Sequence, residues 1–167
     1  GTKFTKADVS TTLEGIGSSA NTTVLFIANG IQRYDIFTES LHEGKSSTSN
    51  ILTRGVVNGM AKALSRGLVQ IGEHASGSNG YEKQDALLLS KDAEADAIPN
   101  LKIHNHDVRC THGSTVGQID KEKVFYAMSR GLSEEQAKAK IVEGYFMPVI
   151  EMFKDKTIAE SIQKALL

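Results

Sequence analysis

The hydrophobic and polar positions form two patterns, and the change falls near Asp120. Before it, short runs of β-branched and aliphatic residues alternate with clusters of Gly, Asn and Ser. Runs of this length between turn-forming residues predict strands. No helical period of about 12 residues separates them, so alternating strand–helix units are not expected. The runs are residues 22–27, 51–53, 56–57, 68–71 and 86–89.

Two all-β architectures fit such strands, a sandwich and a parallel β-helix. Sandwich strands with one solvated face should alternate cleanly, whereas several runs here are continuously apolar or rich in Thr. A parallel β-helix needs sharp corners and small polar residues that stack from coil to coil. The pattern alone favours the β-helix slightly. The predicted corners are Asn29-Gly30, Asn58-Gly59, Ser78-Asn79-Gly80 and Ala97-Ile98-Pro99-Asn100.

After Asp120 the pattern predicts helices. Asp120 is a suitable N-cap, and Gly131 stands where a C-terminal cap is expected. The sequence from Ser133 to Gln136 forms a capping box, which predicts the start of a second helix. The expected core face of the first helix is Val124, Phe125 and Met128.

The second helical segment extends over residues 134–153 and contains Pro148, which predicts a kink or a break. A last amphipathic segment follows over about residues 157–167. We therefore predict a β domain over residues 1–119 and a helical domain over residues 120–167. The expected apolar stripe of the second segment is Ala137, Ile141, Tyr145, Val149 and Met152.

Composition and charge narrow the function classes. The chain has 167 residues and a formal net charge of −1, without the basic block of a nucleic-acid surface. No apolar run approaches the ~18 residues of a membrane span. The one cysteine excludes an internal disulfide framework and predicts a cytoplasmic location. Because the chain starts at Gly1, with neither a methionine nor a signal-peptide pattern, we expect it to be part of a longer protein.

The most distinctive chemistry lies in residues 103–113. An unbroken strand would place His104, His106, Cys110 and His112 on one face, and thiolate and imidazole suit zinc, copper(I) and iron–sulfur chemistry. A buried cysteine beside hydrogen-bonded histidines is the simpler alternative. One mononuclear zinc site is a further alternative, but on a strand the outer two histidines would be ~26 Å apart. Only a corner around residues 105–107 could bring them together.

Six segments resemble one known family, in the family's order and at similar spacing. They begin with Gly44-Lys45-Ser46-Ser47-Thr48-Ser49-Asn50 and Arg54-Gly55-Val56-Val57. They continue with residues 85–90, 96–103, 107–117 and 125–131. Over these segments the chain is similar to the C-terminal part of the SufB/SufD family of the SUF iron–sulfur cluster assembly system.

The resemblance implies a right-handed parallel β-helix followed by a helical domain. It implies a non-catalytic scaffold that pairs through its β-helix core with a SufB-type partner or a second copy of itself. The helical domain would dock the ABC-type ATPase SufC. Phe125, Tyr126, Met147 and Phe153 are apolar enough to contribute to that surface, and each could equally be a core residue. The chain itself would bind no nucleotide. The tripeptide Gly44-Lys45-Ser46 matches the end of a phosphate-binding P-loop, but that motif also needs a glycine five residues earlier, where Glu39 stands.

The resemblance also implies the site residues. The sequence Cys110-Thr111-His112-Gly113 is similar to SufD, in which the histidine is implicated in cluster formation; SufB has Glu after this histidine. His112 would bind iron or a nascent iron–sulfur cluster, and Cys110 would be a second ligand or a structural residue. Gln84 occupies the place of an essential SufB cysteine. Because a cluster takes about four protein ligands, we expect a second chain to supply the rest.

A function of another class is a β-helix enzyme that acts on carbohydrate. Such enzymes usually line a groove with charged residues and stack sugars on aromatic rings. This chain has no tryptophan and no tight acidic cluster on the predicted strands, which disfavours that function. Neither a membrane nor a nucleic acid is an expected partner.

Overall fold

The computed structural model describes residues 2–166, and the side chains of residues 2–164. Gly1 and Leu167, which the predicted domain boundaries include, lie outside the described residues. Eight strands precede three helices in this part of the chain. The strands are β1 (Phe4–Leu13), β2 (Ser19–Ala28), β3 (Arg33–His42), β4 (Thr48–Val57), β5 (Lys62–Ile71), β6 (Asn79–Leu88), β7 (Glu94–Ile103) and β8 (Arg109–Gln118). The helices are α1 (Lys121–Ser129), α2 (Glu134–Ile150) and α3 (Lys156–Leu166).

The strands form two parallel sheets, in the orders β1-β3-β5-β7 and β2-β4-β6-β8. Each strand pairs with the strand two places further along, so the chain winds between the sheets. The register is regular, since Phe4 lies beside Arg33, which lies beside Lys62, which lies beside Glu94. Each pair of consecutive strands is one coil, and four coils stack. The prediction of a parallel β-helix is confirmed, and the sandwich is excluded.

Two predicted corners are confirmed and share one design. Gly30 and Gly59 have φ values of +64° and +72°, which side chains rarely adopt. The Met60 N–H donates to the Gly30 carbonyl over 2.7 Å, so one corner stacks on the other. A Cβ at Gly59 would lie 3.0 Å from the Gly30 oxygen, so glycine also permits this close approach.

The predicted corner over residues 97–100 is wrong, because this segment is the middle of β7. Pro99 is accommodated there because β7 is an edge strand. The N–H groups of Glu94 and His104 donate to β5-side carbonyls, of Ala61 and Ile71. Since donors alternate along a strand, even-numbered residues face β5 and Pro99 faces the open edge. Its missing N–H therefore breaks no bond within the sheet.

The predicted corner at Ser78-Asn79-Gly80 is displaced, since Asn79 and Gly80 already belong to β6. The turn comes earlier and includes Gly77, whose φ is +73°. Gly80 serves the interior instead, because a Cβ there would lie 2.6 Å from Val69 Cγ1. A glycine that opens room inside a coil gives the same sequence signal as a turn glycine.

Inward-facing residues alternate along the strands. In β5 the buried positions are every second residue from Ala63 to Ile71, and the residues between them are half-buried. Two apolar clusters occupy the interior. Cluster A consists of Phe26, Ala28, Ile36, Val57, Ala61, Ala63 and Ala93, and cluster B of Ile51, Val69, Ile71 and Ala75.

The helices belong to a second compact unit, and the boundary between the units falls between Gly117 and Gln118. The predicted caps are present. Asp120 accepts hydrogen bonds from the N–H groups of Glu122 and Lys123, and Gly131 follows α1 with a φ of +95°. Ser133 and Gln136 form the capping box of α2. The predicted core face of α1 is wrong in part, because Val124 is buried but Phe125 and Met128 are exposed.

The helix α2 continues past Pro148 and ends at Ile150. Pro148 cannot donate the one N–H that would bond the Gly144 carbonyl, and the helix ends two residues later rather than breaking at the proline. The predicted stripe is also corrected: Ala137 and Val149 are buried, but Ile141 and Tyr145 are half-buried and Met152 is exposed. No helix within residues 2–166 is long and apolar enough to cross a bilayer. The buried residues of α2 are Ala137, Val142, Phe146, Val149 and Ile150.

Candidate metal site

Cys110 and His112 lie on β8, the edge strand of the even-numbered sheet. The Arg109 N–H donates to the Ser78 carbonyl over 3.0 Å, in the same way that the Asn79 N–H donates to Ser47 one coil earlier. Because that bond pairs Thr48 with Asn79, the repeat places Cys110 beside Gly80 and His112 beside Glu82.

Both neighbours, Gly80 and Glu82, are buried inward-facing residues of β6. The side chains of Cys110 and His112 therefore lie on the inner side of the last coil. Cys110 is half-buried and packs against cluster B, and His112 is exposed. The structure thus brings the two predicted donors to one side of one strand, two residues apart.

The thiol of Cys110 occupies room that Gly80 leaves open. A Cβ at Gly80 would lie 3.2 Å from Cys110 Sγ and 3.6 Å from His42 Nε2. Burial, and next the charge of Glu82, raise the pKa of Cys110 to about 11. Near neutral pH this residue is therefore a thiol in the isolated chain, and a metal must displace its proton to bind the sulfur.

His42 is the buried histidine nearest to this thiol, and the sequence did not single it out as a site residue. Its Nδ1 hydrogen-bonds the Ser47 hydroxyl over 2.8 Å, and its Nε2 hydrogen-bonds the Ser49 hydroxyl over 2.7 Å. Ser47 also contacts the Ser78 hydroxyl over 2.9 Å. Burial lowers the pKa of His42, so the imidazole is neutral near neutral pH. The available signal was the unbroken run of small hydroxyl residues from Ser46 to Ser49, which leads into β4.

Glu82 is a fully buried carboxyl in the same interior. Its Oε1 accepts a 2.6 Å hydrogen bond from Gln84 Nε2. The missing side chain of Gly67 makes room for it, because a Cβ there would overlap the carboxyl. Burial raises the pKa of Glu82 to about 7, although the hydrogen bonds from Gln84 and from the Asn100 backbone act in the opposite direction. From the sequence, Gln84 stood out only because it takes the place of a SufB cysteine.

The structure separates His104 and His106 from the other two donors. Both are exposed residues of the corner between β7 and β8. Asn105 fixes this corner, donating to the Glu73 carbonyl over 2.7 Å and accepting from the Asp107 N–H over 2.8 Å. Within residues 2–166, no three His, Cys, Asp or Glu side chains come together as a metal site. The geometry thus gives the mononuclear zinc alternative no support.

The four predicted partner-binding residues lie in the helical unit and differ in exposure. Phe125 and Tyr126 of α1 are 73% and 61% exposed. Tyr126 is held by Arg130, whose guanidinium stacks over the ring at 5.4 Å and donates to the phenol oxygen over 3.2 Å. Met147 and Phe153 are half-buried. Large exposed apolar side chains beside one another are typical of interaction surfaces.

The fold and the paired donors define the class: a parallel β-solenoid protein whose last strand carries a thiol and an imidazole. Comparison with known protein families identifies the family within this class. Residues 1–145 match the family described as "SUF system FeS cluster assembly, SufBD core domain". The chain belongs to this SufBD core family, which confirms the resemblance to SufB and SufD.

Individual relatives agree with the family. The chain is 33% identical over 146 residues to the iron–sulfur cluster assembly protein SufD of Bacillus subtilis (strain 168), covering 87% of this chain and 33% of the relative. It is 30% identical over 155 residues to SufD of Escherichia coli (strain K12), covering 93% and 37%. An iron–sulfur cluster assembly SufBD family protein of Mycobacterium leprae (strain TN) is 36% identical over 126 residues, covering 75% and 14%. The chain thus spans about a third of the length of the two SufD relatives.

Proposed function

We propose that this chain is part of a non-catalytic scaffold subunit for iron–sulfur cluster assembly, and that Cys110 and His112 bind iron or the nascent cluster. The observation that carries the proposal is their position, on the inner side of an edge strand and two residues apart. Thiolate and imidazole are ligands of iron–sulfur centres. The Cys-x-His-Gly sequence and Gln84 favour a SufD-like role over a SufB-like one.

The number of donors supports assembly at an interface. A cluster takes about four protein ligands, and this part of the chain offers two that lie together. The edge strand β8 carries backbone N–H and C=O groups that face away from its sheet, which suits pairing with another chain. The partner in this proposal is a SufB-type subunit or a second copy, which supplies the missing ligands in the cytoplasm.

The helical unit supports the second part of the proposal, the docking of a SufC-type ABC ATPase. Phe125 and Tyr126 supply exposed aromatic area, which is typical of the residues that dominate binding energy at interfaces. Met147 and Phe153 would extend the contact with their exposed portions. Nucleotide chemistry belongs to the ATPase in this proposal, and the chain transmits its effect to the scaffold.

Anaerobic reconstitution with iron and sulfide tests the ligand role of His112. The protein is mixed with a SufB-type partner and a SufC-type ATPase, and cluster yield is read from visible absorbance and acid-labile sulfide. We expect His112→Ala to lower the yield several-fold. His74→Ala is the matched control, since His74 is also exposed but lies in another corner. Equal yields for the two variants would remove His112 from the site.

The same assay decides whether Cys110 is a ligand or a structural residue. Cys110→Ala keeps a small apolar side chain beside cluster B but removes the sulfur. A ligand role predicts a large loss of cluster yield with little change in thermal stability. A structural role predicts lower thermal stability and an unchanged yield from the folded fraction.

Binding of the SufC-type ATPase is tested by titration with variants of α1. We expect Phe125→Ala to weaken binding at least tenfold, because a large buried aromatic contact would be lost. Lys123→Ala is the control, since Lys123 is also exposed but lies two residues away on a different face of the helix. Unchanged affinity for Phe125→Ala would place the contact elsewhere.

A further inference from the structure

The dipeptide Asn-Gly occurs three times in this chain, in three different surroundings. Asn29-Gly30 and Asn58-Gly59 form stacked corners of the solenoid, whereas Asn79-Gly80 is the start of β6. Asparagine is one of the thermolabile residues of proteins. It is most labile before glycine, because the next backbone nitrogen can attack the side-chain amide and glycine has no side chain to obstruct the attack. The fold therefore decides which of the three identical dipeptides reacts.

Asn29-Gly30 is the most accessible of the three dipeptides. Both residues are exposed. Neither the Asn29 side-chain amide nor the Gly30 N–H makes a hydrogen bond within the part of the chain that the structure describes. The Asn29 carbonyl accepts from the Gln32 N–H over 3.2 Å, at the long end of the usual range. Rotation of the peptide between Asn29 and Gly30 would break this hydrogen bond, and the Gly30 N–H has none to lose.

Asn58-Gly59 is the same corner one coil further on, and it has neighbours on both sides. Both residues are half-buried. On one side the Asn58 N–H donates to the Ala28 carbonyl over 2.9 Å. On the other side Ser90 Oγ donates to the Gly59 carbonyl over 2.6 Å. These contacts restrict rotation of the peptide, so we expect this corner to react more slowly than the first.

Asn79-Gly80 lies in β6, between β4 and β8. The Asn79 N–H donates to the Ser47 carbonyl on the β4 side over 2.9 Å, so the Gly80 N–H is turned toward β8. Ring closure needs the Gly80 nitrogen beside the Asn79 side chain, whereas the extended backbone of a parallel strand, with ψ near about +115°, holds it away. Reaction therefore requires local opening of the sheet. The dipeptide that borders Cys110 is thus the protected one.

We propose that Asn29-Gly30 is a site of spontaneous deamidation in the folded chain. The Gly30 nitrogen forms a bond to Asn29 Cγ, and the bond from Cγ to Nδ2 breaks. Ammonia leaves with the proton of the Gly30 N–H, so that a succinimide ring remains. Water then adds to either ring carbonyl and opens the ring to aspartate or isoaspartate, without any oxidant or reductant. This inference goes beyond the proposed function and does not depend on it.

Isoaspartate changes the corner in two ways. It adds a negative charge at neutral pH, and it inserts an additional carbon atom into the main chain before Gly30. The Gly30 carbonyl accepts the 2.7 Å hydrogen bond from the Met60 N–H, on which the next corner stacks. The inserted atom displaces this acceptor, so we expect the modified protein to unfold more easily than the unmodified one.

Incubation of the full chain at pH 8, followed by tryptic digestion and mass spectrometry, tests the proposal. The three dipeptides fall in separate peptides, so one sample gives all three rates, and fragmentation locates the change within each peptide. We expect Asn29 to react first, Asn58 more slowly, and Asn79 at least about tenfold more slowly than Asn29, because sheet opening limits it. Equal rates at Asn29 and Asn79, or a faster reaction at Asn58, would overturn the proposal. The peptides are residues 7–33, 55–62 and 67–83.

The same incubation in guanidinium chloride gives the reference rates. In the unfolded chain the three dipeptides lose their different surroundings, so their rates should be similar. If Asn29 reacts in the denaturant but stays intact in the folded chain, the corner is protected and the proposal is wrong. Asn29→Gln is the matched variant, because glutamine must close a larger ring. It should remove the signal from residues 7–33 and leave the other two peptides unchanged.

The products test the chemical step and its effect on the corner. Opening of a succinimide gives isoaspartate together with aspartate, which electron-transfer fragmentation distinguishes. Direct hydrolysis of the amide gives aspartate alone, and that result would overturn the proposed step. Asn29→Asp carries the new charge without the additional main-chain atom. We expect the isoaspartate fraction to unfold at lower urea concentration than Asn29→Asp, and equal midpoints would contradict the expected loss of stacking.

Discussion

The two ends of the solenoid interior are built by the same strands but differ in chemistry. At one end, cluster A combines the start of β3 and β5 with the end of β2 and β4, and its members are apolar. At the other end, His42, Ser47, Ser49 and Glu82 are buried beside cluster B. Apolar packing needs only matching shapes, whereas each polar group also needs a hydrogen-bond partner. The polar end is also the end that borders Cys110.

The largest effect is expected at the apolar end. Phe26 is 6% exposed, stacks on Tyr34 at 5.7 Å and covers Gly55. Phe26→Ala should lower the free energy of unfolding by about 3–5 kcal/mol through lost burial and the resulting cavity. Urea unfolding at pH 5.5 and pH 8 should give the same loss, since cluster A contains no titratable group. A loss that changes with pH would contradict the separation of the two ends.

Glu82 should give a pH-dependent effect of about 3 kcal/mol. Burial raises the pKa of folded Glu82 from 4.5 to about 7, so the stability it contributes is complete below pH 4.5 and is lost as pH rises through 7. In Glu82→Gln the side chain cannot ionise, so the variant does not lose this stability as pH rises. Relative to the wild type, the variant should gain roughly 3 kcal/mol of unfolding free energy between pH 4.5 and pH 8. Parallel pH profiles for the two proteins would show that Glu82 does not titrate in this way.

His42 should give a smaller effect of the opposite pH dependence. His42→Leu removes two hydrogen bonds and leaves the Ser47 and Ser49 hydroxyls buried, so we expect a loss of about 2 kcal/mol at pH 8. Burial lowers the pKa of folded His42, so its contribution is lost as pH falls below the unfolded value of 6.5. The difference from the wild type should therefore shrink by pH 5.5 in thermal unfolding. His74→Leu, at an exposed corner, should change little at either pH.

The smallest effect is expected on the outer face of the same coils. Asn50 Nδ2 donates to Asn21 Oδ1 over 3.0 Å, and both side chains are exposed to solvent. Asn50→Ala should cost less than about 1 kcal/mol at any pH, although its neighbours Ser49 and Ile51 are buried. Urea unfolding measures this, and a larger loss would mean that outer polar ladders matter as much as the interior.

Local signals in the sequence predicted the corners at Gly30 and Gly59 and the helix caps at Asp120 and Ser133. These features depend on a few adjacent residues, so a single sequence contains them. The family resemblance supplied the solenoid itself. It also pointed to Cys110 and His112, whose role as ligands stays a prediction.

The polar interior could not be predicted, because it depends on which strand face points inward. In β3 the inward residues are Ile36, Thr38, Ser40 and His42, and they are all buried. The more apolar Phe37 and Leu41 point the other way and are half-buried, with Phe37 lying under the Arg66 guanidinium at 5.8 Å. Hydrophobicity alone would therefore place Phe37 and Leu41 inside the solenoid, where the structure has Thr38, Ser40 and His42. The predicted buried stripe of α2 failed in a similar way, because it included Tyr145, whereas the structure buries the neighbouring Phe146.

Pro99 makes the two edge strands of the last coil, β7 and β8, unequal. The outward donors of β7 are the odd-numbered N–H groups, and Pro99 removes the one in the middle. A foreign strand laid along β7 would meet a gap after at most two consecutive outward donors. Along β8 every outward position has an N–H, including those of Cys110 and His112. Backbone pairing with an added strand is therefore interrupted by proline along β7 but not along β8, the strand that carries the candidate ligands.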